Sequence, residues 1–423
     1  MTGRNMPVGP STWKWSFHWQ HLLLFAILYG LAYGEVYTFS EGVYRFGLKD
    51  NSLLHFFFGC SFPLVYLISQ RLRWPSGTSL YPFLFSLIPF LWLGYTYHPL
   101  AVDLIRRVPV DYRVADMLPI MEVMCQRFLH GTGVYREIPE IWGGMNPIYL
   151  PVMWMAYLPA VLLDLDLRWV TWTCMLSAVG LPVLMAAWKR TLSWPLLTVW
   201  FLVFNLFEAI FLMEPNDFSM GDEGPVLAAY VVFALAICSG NPWFIGISLA
   251  ISLLTRYSLI PLLPILALGY GLNESLRFLG ILVFSALVTG LAFLAISGAF
   301  SAVGIFIALP GHYLEAIRGN DFQKLAPTIQ DSLGMAKFFT QEQLPGLLRL
   351  QVFFSVLLPL GLLGVYRRLF AGSDIRVFML AMLKLEMVLF LNLLIIPIHN
   401  LFLVSNFLTL ALLFQFGQGS RRT

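Results

Sequence analysis

Ten ionisable or aromatic side chains crowd one polar stretch of this chain: Asp111, Arg113, Asp116, Glu122, Arg127, His130, Tyr135, Arg136, Glu137 and Glu140. A second group, Glu214, Asp217, Asp222 and Glu223, sits within the segment EPNDFSMGDEG between two apolar runs. A third holds His312, Glu315, Arg318, Asp321, Lys324, Asp331 and Lys337. Wet loops carry charge for solubility alone, but acids that follow directly on apolar runs exceed what a turn requires. A carboxylate against apolar walls is a strengthened base, because desolvation raises its pKa, and such a base can take a proton from an attacking hydroxyl. Arg256 interrupts an apolar stretch of about 30 residues. A central ion there costs about 2.5–3.5 kcal/mol on insertion scales. Arg256 therefore implies a partner, a wet cavity or an anionic ligand, unless it snorkels to an interface. Tyr135 and Trp142 suit either a sugar-stacking platform or an interfacial aromatic belt. His399 stands at the end of a late apolar run, as a ligand or as a locally bonded helix-end group.

The elements that must position these groups are apolar helices. The 423 residues are 58% apolar and 12% charged, with a mean hydropathy of +0.75. A soluble protein carries about 25% charged residues. Runs long enough to cross hydrocarbon, about 20 residues each, recur at 19–37, 52–70, 80–98, 168–187, 195–213, 224–239, 277–297, 347–366, 377–396 and 400–416. The stretch 242–271, broken at Thr255, Arg256 and Pro261, reads as two short helices with a turn between them. The expectation is an all-α polytopic bundle of about twelve membrane segments, forming one domain over 1–423. Segment 148–163, with internal prolines, reads as a helix lying along the interface. The four cysteines form neither a disulfide framework nor a metal pattern, and the net charge of +3 is too scattered to indicate nucleic acid.

Lys and Arg in the short loops set the orientation. With the N-terminus cytoplasmic, Arg71/Arg73, Lys189/Arg190, Arg277, Arg367/Arg368/Arg376 and Arg421/Arg422 all fall inside. The first large outer loop is then 99–167, the acidic loop 214–223 is also outside, and the last large outer loop is 298–346. All three polar groups share one side.

The stretches VDYRVADMLPIMEVMCQRFLHGTGVY (110–135), NPIYLPVMWMAYLPAVLL, GISLAISLLTRYSLIPLLPILAL, APTIQDSLGMAKFF and IPIHNLFLVSNFL follow one another in this order. Together they resemble the GT-C superfamily of integral-membrane glycosyltransferases, most closely glycosyltransferase family 87. The first is similar to that family's first outer loop, with an Asp, an aromatic and a helix. The second resembles its interfacial helix, with Leu150 replacing one proline. In the third, Arg256 stands where lysine is commoner. The two spans before residue 80 have no counterpart.

The resemblance implies inverting transfer of a hexose, such as mannose, from a polyprenyl-phosphate donor to a lipid or glycan acceptor on the outer face of a bacterial inner membrane. It places Asp111 in the position of the catalytic base. Arg256 suits the donor phosphate, with its planar fork of donors. Asp116, Arg113, Tyr135, Trp142, Asp217, Asp222, Glu223 and His399 are candidates for substrate contact. Some GT-C enzymes use a divalent metal, which Asp111 with Asp116, Asp217 or Asp222 would hold, but no spacing marks a metal centre and no cofactor is expected. Two other readings stay open: a transporter or flippase of lipid-linked sugars, for which no internal repeat is visible, and a non-catalytic envelope scaffold that would not need Asp111.

The topology is directly testable. Single cysteines at Gly133 and Gly419, probed in intact cells with an impermeant thiol reagent, should react at Gly133 alone; the opposite pattern would invert the orientation.

Overall fold

The computed structural model describes residues 19–41, 51–69, 81–141, 143–188, 194–213, 215–318, 326, 329–330, 332–369, 374–394 and 399–416. Most of these residues are helical, and they form no named strand, only an isolated antiparallel bridge between Ile138 and Met145. Such a fold follows from composition, because hydrocarbon offers no hydrogen-bond partners and each backbone group must be satisfied within its own helix. The elements are α1 (Trp19–Glu41), α2 (Asn51–Ser69), α3 (Tyr81–Arg107), α4 (Met117–Leu129), α5 (Pro151–Met155), α6 (Leu158–Leu162), α7 (Arg168–Trp188), α8 (Trp194–Leu197) and α9 (Val199–Glu208). They continue with α10 (Pro215–Ser219), α11 (Gly224–Ser239), α12 (Pro242–Leu253), α13 (Leu263–Asn273), α14 (Leu276–Ile296) and α15 (Val303–Arg318). The last three are α16 (Leu344–Leu369), α17 (Ile375–Asn392) and α18 (Leu403–Gln415).

Among the described residues, five segments are long and apolar enough to cross a bilayer: Leu22–Ser40, Asn51–Ser69, Arg168–Trp188, Leu276–Ile296 and Leu344–Leu369. This is a helical membrane protein. Shorter apolar helices pack between them, and α17 and α18 are buried along almost their whole length.

Three boundaries differ from the sequence expectation. α3 continues to Arg107, so the segment expected as loop from residue 99 begins as helix. Pro99 lies inside this helix on an exposed face, and membrane helices tolerate internal proline. The expected loop 298–346 contains α15, whose first turns, Val-Gly-Ile-Phe-Ile-Ala-Leu, are too apolar for a wet loop. The single run expected at 195–213 is divided into α8, α9 and a π-helical turn, Ala209–Met213, immediately before the acidic segment. The break at 254–262 is as expected: α12 ends at Leu253, and Tyr257–Leu262 is a 3₁₀ turn.

Close approach depends on small residues, the usual device where lipid removes the hydrophobic drive between helices. A methyl at Gly246 on α12 would come within 2.0 Å of the Ser285 hydroxyl on α14, and one at Gly224 within 2.6 Å of the Thr171 Cα on α7.

The N-terminal hairpin is fastened by charge. Glu35 on α1 and Lys384 on α17 are both wholly buried and lie 2.5 Å apart. The Lys384 ammonium also donates to the Ser405 hydroxyl at 2.5 Å and the Ser405 carbonyl at 3.0 Å. The second Glu35 oxygen accepts from Thr409 at 2.7 Å. All four side chains are saturated by one another, the condition under which a buried pair holds. Lys384→Met would leave the carboxylate stranded, at a cost of about 3–5 kcal/mol. Melting in detergent should therefore show Lys384→Met and Glu35→Gln each destabilised, and the double variant recovering most of the loss. A double variant no better than its worse parent would rule out the pair as the fastening.

Candidate functional site

The best-defined polar constellation off the hairpin lies where α11, the turn after α12, α6 and the loop before α4 meet. α12 terminates at Leu253, and Arg256 takes an extended backbone, φ −154° and ψ 137°, before the 3₁₀ turn. Proline at 261 and the Thr255–Arg256 pair stop the helix here, and Arg256 can reach sideways because it is off the helix. Its guanidinium donates to Glu223, the residue that precedes α11. The Arg256 side chain is 20% exposed and that of Glu223 1% exposed, so the pair keeps a partly open edge on the Arg256 side.

The turn is held on both sides. Tyr230 of α11 donates to the Arg256 carbonyl at 3.2 Å and meets the Ser258 hydroxyl at 2.5 Å. Val152 at the start of α5 donates its backbone N–H to the Leu254 carbonyl at 3.1 Å. The buried Tyr157, which precedes α6, donates to the Asp222 carbonyl at 3.3 Å. The α5–α6 strap thus touches both the Arg256 turn and the Asp222 loop. Gly221 is required in that loop, since a methyl there would stand 2.4 Å from the Asp217 carbonyl oxygen.

Asp222 and Glu223 are both buried, and burial pushes both carboxyls up, Glu223 to about 8, with Arg256 acting in the opposite direction. The nearby Asp116 carboxylate raises Asp222 further. Arg256 is in turn held firmly charged by Glu223 and Asp222 against its own burial. One oxygen of each acid, Asp222 Oδ1 and Glu223 Oε2, is buried without a hydrogen-bond partner. A buried acceptor left in that state costs about 1–3 kcal/mol.

The remaining candidates divide around this centre. Asp116, half-buried, precedes α4 and approaches Asp222. Asp111 is half-buried and accepts the Arg113 backbone N–H at 2.9 Å, closing the turn that leads to α4; no contact joins it to Arg256 or Asp222. Arg113 is exposed, its guanidinium carbon 5.8 Å from the Tyr112 ring centre. Asp217 is buried on α10. Tyr135 belongs to the core: its hydroxyl accepts from the Trp154 indole at 3.1 Å, and its ring meets Phe306 edge-on at 5.7 Å. A sugar platform at Tyr135 would require it to leave that packing. His399 opens a 3₁₀ turn before α18, with its side chain outside the described set. Trp142, Glu214, Asp321, Lys324 and Asp331 lie outside the described residues. Among the described residues, no three His, Cys, Asp or Glu side chains gather as a metal ion would need.

Sequence reasoning missed several groups. Arg168 is 2% exposed, pairs with Asp166 through two nitrogens, and donates to the Val108 and Ile105 carbonyls at 2.6 and 2.9 Å. It closes the C-terminus of α3 and so sets where the Asp111 loop begins. Glu35 was visible as a lone acid in an apolar run, but its partner was not legible, since Lys384 stands two residues from Glu386 in the same run.

Searches against known protein families, curated proteins and solved structures found no match for this chain.

The raised Glu223 carboxyl gives stability a pH dependence. Its contribution is complete below the unfolded value of about 4.3 and is lost as pH rises through about 8. The melting temperature should fall across that window, and fall less steeply in Glu223→Gln. Parallel curves for the two proteins would show that Glu223 does not titrate there.

Proposed function

We propose that this protein is a membrane glycosyltransferase with a twelve-segment, GT-C-like arrangement, moving a hexose from a polyprenyl-phosphate donor to a lipid or glycan acceptor at the outer face. The observation that carries this reading is Arg256: a guanidinium in an otherwise apolar stretch, off the helix, partly open on one edge, beside buried carboxyls. Among the described residues its fork makes one hydrogen bond, to Glu223, which leaves it other N–H donors for a ligand. Burial raises both the Glu223 and the Asp222 carboxyls, which weakens them as counter-charges to the guanidinium. A donor phosphate there would gain negative charge as the sugar departs, and a fixed cation stabilises that change. Long apolar helices with lipid-facing surfaces such as that of α14 give the polyprenyl chain a hydrocarbon path to the same region.

Asp111 is proposed as the base, on the strength of the family resemblance of residues 110–135. A carboxylate on a loop between α3 and α4 can accept the hydroxyl proton as that oxygen attacks the anomeric carbon, while the bond from that carbon to the phosphate oxygen breaks and its electrons leave with the phosphate. The transporter reading draws on the buried ions of α1 and α17, which are common features of transport paths. Their saturation by Ser405 and Thr409 favours a fastening instead.

Asp111→Asn should preserve folding and donor binding and lower transfer by about 10²–10⁴-fold, the scale for loss of a general base. Arg256→Gln should weaken binding of a polyprenyl phosphate, with Arg256→Lys intermediate because it keeps charge and loses the fork. Near-native turnover of Asp111→Asn would remove that residue from the chemistry. Equal donor affinity in wild type and both Arg256 variants would remove Arg256 from the site.

A further inference from the structure

A carboxyl in the middle of α17 lacks a counter-charge. Glu386 is fully buried, and neither of its oxygens has a hydrogen-bond partner among the described residues. Lys384 does not supply the charge. Two residues along a helix lie about 200° apart round its axis, and Lys384 is taken up by Glu35 and Ser405. The other elements packed on α17 carry their ionisable groups elsewhere. Glu35 of α1 and His55 of α2 meet the Lys384 face, Tyr257 meets the Phe390 ring, and Cys238 of α11 and Tyr270 of α13 lie toward Arg376.

What faces Glu386 is α16. Ser355 is fully buried opposite it, and the Ser355 hydroxyl is also without a partner. One turn away Gln351 donates to the Phe390 carbonyl at 2.8 Å, which fixes the register of the two helices. One turn the other way along α16 stands Pro359, buried on the same face. Proline has no N–H, so the Ser355 carbonyl loses its helical donor four residues on. The seam therefore gathers two carboxyl oxygens, a hydroxyl and a freed carbonyl, an excess of acceptors over donors. A bare carboxylate enclosed in this way is strongly disfavoured. One added proton cancels its charge and supplies the missing donor. A proton also needs no room in the packing, which a metal ion would.

We propose that Glu386 is an exchangeable proton-binding site within the membrane, its acid O–H donated across the seam to the Ser355 carbonyl, and that this proton joins α16 to α17. The proton adds to one carboxyl oxygen and leaves from it again, so uptake and release need no other reactant. The joint matters because α16 is held along its inner face: Val352, Phe353 and Leu357 on its outward side are exposed. Loss of the proton would set a bare charge into that contact and loosen α16. The site is separate from Arg256 and stands whether or not the protein transfers sugars.

Infrared spectra of the full chain in lipid, wild type minus Glu386→Gln, read the site directly, because Asp222 and Glu223 are present in both proteins and cancel. A carboxylic-acid C=O band should stand in the difference at neutral pH and shift in heavy water. In Pro359→Ala, which returns an N–H to the Ser355 carbonyl, the band should move to higher frequency. Raising the pH until the band is lost should increase deuterium uptake by the α16 amides, corrected for intrinsic rate, in wild type and not in Glu386→Gln. Dicyclohexylcarbodiimide, which adds to protonated carboxyls in apolar surroundings, should label Glu386 in the wild type, read by peptide mass spectrometry; this arm depends on no variant folding. A carboxylate band in place of the acid band, or an unlabelled Glu386, overturns the proposal. A band unmoved in heavy water overturns exchange, and one abolished by sodium at constant pH assigns a metal ion instead. A band unchanged in Pro359→Ala removes the Ser355 carbonyl as acceptor, and equal α16 uptake in both proteins at high pH removes the joint.

Discussion

A charge enclosed by hydrocarbon must take its counter-charge with it, and the architecture of this protein depends on how that requirement is met. Glu35 and Lys384 meet it deep among α1, α17 and α18, where Ser405 and Thr409 complete the coordination of both ions. Removing either ion would leave the other with several kcal/mol of uncompensated desolvation. Apolar packing alone permits a helix to slide or rotate against its neighbour, since one lipid-like face resembles another. An ion pair with directional hydroxyl partners permits one register. The register of the hairpin α1–α2 is therefore set by four polar side chains as well as by its buried apolar surface.

Arg256 and Glu223 meet the same requirement differently. Their pairing is incomplete: one edge is open, and neighbouring carboxyl oxygens lack partners. The surroundings are nevertheless tied down, through Tyr230 to the Arg256 carbonyl, Val152 to the Leu254 carbonyl and Tyr157 to the Asp222 carbonyl. Rigid support around unsatisfied groups is the arrangement expected where a ligand completes the hydrogen bonding, whereas full saturation marks a structural join. The difference lies in the ions themselves, since Glu35 and Lys384 are saturated while His55 beside them and Glu386 on the same helix keep buried atoms without partners.

The sequence made the helices legible because each apolar run has its own composition and its own ends. α11 and the two-helix reading of 242–271 are recovered closely, since Gly, Pro and polar pairs mark their limits. α3 was less legible: its last turns carry Asp103, Arg106 and Arg107, which look like loop residues until Arg168 is seen binding the carbonyls of that end. In the site, Arg256 announced itself by being out of place, and Asp222 and Glu223 by directly preceding an apolar helix. Which carboxyl would meet Arg256 was not legible, because Glu223 and Arg256 are 33 positions apart and depend on the packing of α11 against α12. Tyr135 misled for a related reason: an aromatic in a polar stretch looks exposed until Phe306 and Trp154 enclose it.

The π-helical turn Ala209–Met213 bears on how this site tolerates change over evolutionary time. A π turn holds one residue more than the α-helix around it, as a single-residue insertion would leave behind. The wide turn takes up the extra residue locally, so the helix before it and the segment after it keep the directions an uninterrupted helix one residue shorter would give them. Here that turn falls between α9, which packs in the bundle, and the acidic segment that starts at α10. Deleting one residue from the turn would therefore leave the acidic side chains aimed as they are, whereas deleting one from α9 would swing them by about 100°, the angle of one residue at 3.6 per turn.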